Sequence, residues 1–85
     1  MAHSAREQVI ELIQSGDYEI AQIIGDGDQE EYQGCMGSLF MALEDDSTNV
    51  KLLDSKDPLC HKGSKTFMIS YDSFFGDVRI LIWEY

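Results

Sequence analysis

The pattern of apolar and polar positions predicts a helix at the start of the chain. Ser4 and Glu7 are spaced as a capping box, in which a hydroxyl and a carboxylate satisfy free backbone N–H groups at a helix start. An apolar face follows at helical spacing, formed by Val9, Ile10, Leu12 and Ile13. Gly16 is expected to end this helix because glycine readily adopts the left-handed conformation of a helix terminus.

A second short helix is predicted from Tyr18 to Ile24, capped by Asp17 and closed by Gly25. Its buried side would be formed by Ile20, Ala21, Ile23 and Ile24. The two helices would then form an N-terminal helical hairpin, joined by the sequence Ser-Gly-Asp.

Residues 26–33 form a polar, acidic connector, and the stretch after it has two interpretations. A third helix is indicated by helical spacing of apolar residues, namely Tyr32, Met36, Leu39, Phe40 and Leu43. Gly34 and Gly37 oppose it, since each costs about 1 kcal/mol in a helix interior relative to alanine. The alternative is a β-hairpin with strands at 38–44 and 50–53. The Leu, Met, Ala and Glu residues at 39–44 prefer helix, and we favour that interpretation.

The last third of the chain predicts strands. Residues 54–64 are expected to be a loop containing Pro58, and strands are expected at 65–71 and 78–85 around a turn at 72–77. The last strand is apolar on both faces, which is typical of a central strand, and Trp83 is expected in the core. We therefore predict one α+β domain over residues 1–85, with the helical hairpin packed on a small antiparallel sheet formed by the C-terminal half.

Charge is distributed very unevenly along this pattern. Residues 7–50 contain eleven carboxylates and no Lys, Arg or His, whereas residues 51–85 contain five acids and five bases. The formal net charge of −10 therefore belongs to the first half. Such a field repels nucleic acid and anionic membranes and attracts basic protein surfaces. Solubility alone is the other explanation of so acidic a composition.

Residue patterns typical of enzymes and metal sites are incomplete. The acidic run at 26–30 resembles the start of an EF-hand loop, but Glu31 and Gly37 occupy the positions that require glycine and glutamate. Cys60 and His61 are adjacent, so they would point apart in an extended chain, and Cys35 lies among apolar residues, where a small core residue is expected. The spacing does not fit a zinc site either. We expect no enzymatic activity, no cofactor and no metal.

The cellular compartment is predicted from two signals that the sequence lacks, a signal peptide and a membrane span. The first residues show no basic region followed by an apolar stretch, and no apolar run is longer than five residues. The two cysteines suit a reducing environment. We therefore expect a cytoplasmic protein that does not engage a membrane.

The favoured functional hypothesis is a non-enzymatic module that binds and inhibits a basic, nucleic-acid-handling protein such as a nuclease. It would mimic nucleic acid at a Lys/Arg surface, as an immunity or viral counter-defence protein does, without binding nucleic acid itself. The predicted contact residues are Asp26, Asp28, Glu30 and Glu31, followed by Glu44, Asp45 and Asp46.

A structural or assembly role is the alternative hypothesis. In that role exposed aromatic residues would make apolar contacts with another protein or within a homodimer. The candidate aromatic residues are Tyr32, Phe74, Phe75 and Trp83.

Overall fold

A computed structural model describes residues 4–73 and 76–85 and shows two helices against a five-stranded antiparallel sheet. The α+β class is therefore confirmed. The elements in chain order are α1 (Ala5–Ser15), β1 (Tyr18–Ile24), β2 (Asp28–Glu31), α2 (Met36–Glu44), β3 (Asn49–Leu52), β4 (Thr66–Ser73) and β5 (Gly76–Glu84).

Helix α1 begins and ends as its sequence predicts. The backbone N–H of Glu7 donates to the Ser4 hydroxyl at 3.2 Å, which satisfies one of the free N–H groups of the first turn. Gly16 closes the helix in the left-handed conformation, with φ of 81°. Val9 and Ile13 are the buried residues of this helix.

The predicted second helix is wrong, because Tyr18–Ile24 is strand β1. Seven residues are too few for periodicity to distinguish a short helix from a strand that is apolar on both faces. Tertiary pairing decides the conformation: β1 pairs antiparallel with β5 from Tyr18↔Glu84 to Ile23↔Arg79. There is consequently no helical hairpin. The N-terminal half contributes β1 and β2 to a sheet that we had expected from the C-terminal half alone.

Helix α2 confirms the favoured interpretation of the middle segment, and the hairpin alternative is wrong. The helix begins after Gly34 and Cys35, so only Gly37 falls inside it, in the first turn. Leu39 and Leu43 are fully buried. The residues after the helix do form a strand, β3, but β3 pairs with β4.

The sheet has the strand order β2-β1-β5-β4-β3, so β5 is central as predicted. The two helices cover one face. Its core residues are Val9, Ile13, Leu39, Leu43, Phe67, Ile69, Ile80 and Ile82.

The opposite face is covered by residues 53–65, a segment we call the strap. Leu53, Leu59 and Cys60 of the strap pack over this face. The sheet residues beneath the strap include Ala21, Ile23, Leu81 and Trp83. Trp83 is 9% exposed, which confirms that it belongs to the core.

The strands β4 and β5 lie close to their predicted positions. They extend further into the predicted turn than expected, to Ser73 on one side and from Gly76 on the other. The strap includes residues 54–64 and contains no helix or strand, which confirms the loop predicted there. Phe74 and Phe75 lie outside the described residues.

Arg6 holds the C-terminal end of α2 against the start of α1. Its guanidinium group donates hydrogen bonds to the carbonyl oxygens of Leu43, Asp45 and Thr48. A helix C-terminus carries free carbonyls and a partial negative charge, so a cation there is favourable on both counts. The α2 sequence itself has no basic residue in its last turn. Arg6 therefore supplies that cation from another helix.

We predict that Arg6→Ala lowers the free energy of unfolding by roughly 2 kcal/mol, because charge-assisted hydrogen bonds are lost at a partly buried helix end. Arg6→Lys keeps the charge but not the planar fork, so it should recover only part of the loss. Urea unfolding at fixed ionic strength measures both variants. Lys56→Ala removes the same charge at an exposed position and is the control; equal losses in Arg6→Ala and Lys56→Ala would contradict the assignment.

Candidate functional site

The first acidic cluster lies on the β1–β2 hairpin. Asp26 occupies the turn between Gly25 and Gly27, whose φ values of 57° and 128° suit glycine alone among common residues. The Gly27 N–H donates to the Ile24 carbonyl oxygen at 3.3 Å and closes the turn. Three further carboxylates follow on β2, namely Asp28, Glu30 and Glu31. The structure therefore brings all four predicted residues of this cluster together.

Strand β2 is an edge of the sheet, paired with β1 only. All four of its residues are exposed. The register Ile24↔Asp28 and Ala21↔Glu31 places side chains alternately on the two faces. Asp28 and Glu30 therefore share the helix side of the sheet, and Glu31 lies on the strap side. The edge presents negative charge to both sides.

The carboxylates of this hairpin have no cationic partner among the residues that the structure describes. Arg79 lies on the strand next to β1, but its guanidinium donates to the Gly25 carbonyl oxygen at 2.8 Å. That hydrogen bond fixes the turn without engaging a carboxylate. The hairpin thus keeps its charge available to a partner.

The second acidic cluster, Glu44, Asp45 and Asp46, lies between α2 and β3. Since β2 and β3 are the two opposite edges, four strand spacings of about 4.8 Å separate them, or roughly 19 Å. The two clusters therefore do not form one continuous band.

Asp45 has a local structural role within the second cluster. Its Oδ1 accepts hydrogen bonds from the backbone N–H and the hydroxyl of Ser47, at 2.9 and 2.8 Å. These bonds, followed by the charge of Arg6, lower the pKa of Asp45 below its usual range. Glu44 and Asp46 are exposed. The 26–31 hairpin is consequently the stronger candidate of the two.

Sequence reasoning missed residues that lie beside the hairpin. Glu19, expected at a helix start, is exposed on β1 directly across from Trp83 of β5. The His61 ring stacks on Trp83 with centroids 3.6 Å apart, and its Nε2 lies 3.3 Å from Gln29 Oε1. The strap is thereby attached to β2. Residues 18–24 are apolar on both faces, so no local pattern in the sequence places Glu19 on this face.

The burial of Trp83 also bears on the assembly hypothesis. Trp83 lies beneath His61 and is 9% exposed, so it offers only a small apolar surface to a partner. Tyr32 is half-buried, and its hydroxyl donates to the Cys35 carbonyl oxygen at 3.3 Å. Among the residues that the structure describes, Tyr85 is the aromatic residue with a large exposed fraction, 84%.

The two cysteines have different environments. Cys60 is half-buried in the strap, where its Sγ lies 3.8 Å from the carbonyl oxygens of His61 and Ser64. Cys35 is exposed at the start of α2, so the expectation that it fills the core is wrong. Its sulfur makes no cap hydrogen bond of ordinary geometry, but the nearby N–H groups of Ser38 and Gly37 lower the pKa of the Cys35 thiol.

Two further observations limit the chemistry of the described residues. In residues 4–73 and 76–85, no three His, Cys, Asp or Glu side chains gather closely enough to hold a metal ion. Neither α1 nor α2 approaches the length and apolar character that a membrane span requires, within the same described part of the chain.

The chain matches no protein-family model, and no curated protein or solved structure shows significant similarity to it.

We predict that Cys35 reacts with a disulfide reagent such as DTNB faster than Cys60, because it is exposed and more of it is thiolate at neutral pH. The Cys60→Ala variant isolates Cys35, and Cys35→Ala isolates Cys60. The pH midpoint of the Cys35 reaction should lie below that of free cysteine. A midpoint at or above the free value would contradict the assigned role of the Ser38 and Gly37 N–H groups.

A pair of carboxyl groups lies near the end of the β4–β5 hairpin. Asp72 and Asp77 are direct cross-strand partners. A hydrogen bond between their carboxyl groups and the repulsion of the Asp77 charge raise the pKa of Asp72 above its usual range. The folded protein therefore binds this proton more tightly than the unfolded chain does.

We predict that Asp72→Asn stabilises the fold at neutral pH, because it removes the repulsion between two charged carboxylates. Because the pKa of Asp72 is raised in the folded state, the free energy of unfolding falls as pH rises through the range in which carboxyl groups titrate. The difference in stability between Asp72→Asn and the unchanged protein should therefore become smaller as pH is lowered through that range. Thermal unfolding at several pH values measures this difference. Asp46→Asn is the control for net charge, and equal stabilisation by both variants would refute the pair interaction.

Proposed function

We propose that this chain is a non-enzymatic module that binds a basic protein surface and occupies it in place of nucleic acid. The observation that carries the proposal is the edge strand β2, whose carboxylates are exposed and have no cationic partner in the described structure. The partner would be a nuclease or another nucleic-acid enzyme, inhibited by occlusion of its Lys/Arg groove, as in immunity or viral counter-defence proteins.

The charge density of β2 supports this choice of partner. Asp28, Glu30 and Glu31 place three negative charges over a rise of about 10 Å, since a strand rises about 3.4 Å per residue. One strand of duplex DNA carries one charge per about 3.4 Å of helix axis. A row of Lys or Arg side chains that follows the edge and reaches both of its faces therefore finds a similar linear density here.

The position of these charges also favours a protein partner over mere solubility. Negative side chains on an edge strand discourage edge-to-edge pairing between copies of a chain, which is a sufficient reason for some of them. That reason does not require charge on the turn as well, where Asp26 adds a fourth carboxylate beyond the strand. The resulting field is concentrated at one corner of the molecule and can steer a basic partner to it.

The test is an affinity capture from lysate of the source organism at low and high salt, with the bound proteins identified. We expect capture of a basic nucleic-acid enzyme that is released by salt and by competing duplex DNA. Charge reversal of Asp26, Asp28, Glu30 and Glu31 to Lys should abolish capture. The neutral variant with Asn and Gln at these positions should weaken it and reduce the salt dependence.

Glu44→Gln combined with Asp46→Asn is the control at the opposite edge, and it should retain most of the affinity. Undiminished affinity of the four-lysine variant at low salt would refute the proposal. Salt-resistant self-association, seen by sedimentation, would instead support the assembly hypothesis.

A further inference from the structure

An open groove lies on the strap side of the sheet, between the edge strand β2 and Trp83. It has a volume of about 460 Å³, and its lining includes Glu19, Ala21, Gln29, Glu31 and Trp83. The strap covers the neighbouring part of this face through Leu59 and Cys60. The groove is therefore the part of the strap-side face that remains accessible beside β2.

The register explains why the groove is concave and what it presents. Ala21 lies across from Glu31 on one side and Leu81 on the other, so a methyl group stands between larger side chains. Glu19 lies across from Trp83. Ala21 and Trp83, which are 8% and 9% exposed, therefore give the groove a small apolar floor and wall, with both carboxylates at the rim. Glu19 and Glu31 engage no cation among the described residues.

This combination discriminates between classes of ligand. A small hydrated cation would gain nothing from an apolar floor, and an anion would be repelled by the rim. A lysine or arginine side chain has an apolar stem and a cationic head, so it satisfies both parts at once. The head would form charge-assisted hydrogen bonds with the carboxylates, bidentate in the case of arginine.

We propose that this groove receives an arginine or lysine side chain that projects from a basic surface of the partner protein. The inference rests on the proposed function and specifies its contact: the partner would bind the strap side of β2, through Glu19 and Glu31, and would not straddle the edge evenly. Charge complementarity and the apolar floor together select this occupant. Gln29, which already contacts His61, would form the end of the groove beside the strap.

The experiment uses the peptide acetyl-(Arg-Thr)₄-amide as the probe and the fluorescence of Trp83, the single tryptophan, as the reporter. Spermine carries the same nominal charge of +4 without arginine side chains and is titrated in parallel. Occupation of the groove should change Trp83 emission with the peptide and leave it nearly unchanged with spermine. Equal responses to both ligands would show only diffuse charge attraction and would overturn the inference.

Two sets of variants localise the binding. Ala21→Leu fills the groove without changing charge, and Glu19→Gln with Glu31→Gln removes the rim; each should weaken peptide binding about tenfold, equivalent to about 1.4 kcal/mol. Glu44→Gln with Asp46→Asn removes the same charge elsewhere and should change affinity less than about twofold. If Ala21→Leu does not fold, the rim variant decides the outcome.

Failure of this inference is distinguishable from failure of the proposed function. If Asp26→Asn, Asp28→Asn and Glu30→Gln weaken peptide binding while the groove variants do not, the contact lies along the edge and the groove inference is overturned. Unchanged binding in every variant would overturn both.

Discussion

The structure depends on the pairing of β5 with β1 on one side and with β4 on the other. These two pairings are what join the β2–β1 half of the sheet to the β4–β3 half, because β1 and β4 do not pair with each other. Ile80, Leu81 and Ile82 are completely buried, and successive residues serve opposite faces. One strand therefore contributes to the core beneath the helices and to the core beneath the strap.

This dependence explains which elements could be predicted from the sequence. Helix α1 has a local capping signal at Ser4 and a local stop at Gly16, and β5 has a dense apolar pattern of its own. Segment 18–24 has local signals that favour a helix, Asp17 before it and Gly25 after it, but they do not decide its conformation. Its conformation is fixed by hydrogen bonds to residues that are remote in sequence, so local spacing suggested a helix where the sheet required a strand. Strand β2 was missed for the same reason, since four exposed polar residues carry no apolar alternation.

The residues of the candidate site fall into two groups in the same way: some are identified by the local sequence, and others are brought together only by the fold. The 26–31 cluster was identified from the sequence because its residues are contiguous, and contiguous residues stay close together in any fold. The contribution of Glu19 and the attachment of His61 to Trp83 and Gln29 arise only when β1, β2 and β5 lie side by side. Likewise, the local sequence did not indicate that the cluster at 44–46 would lie at the opposite edge of the sheet. It also did not indicate that Asp45 would accept a hydrogen bond from Ser47 within its own turn and lie close to Arg6.

The central position of β5 also has a consequence for how the molecule forms. The residues that β1 and β5 pair are 56 to 66 positions apart, so this contact closes a long loop and is expected to form slowly. On an emerging nascent chain, the β1–β2 hairpin precedes its neighbour β5 by some fifty residues of synthesis. During that interval both edges of the hairpin are open to pairing with other chains. Mutual repulsion between the carboxylates of such hairpins would then delay aggregation until β5 docks.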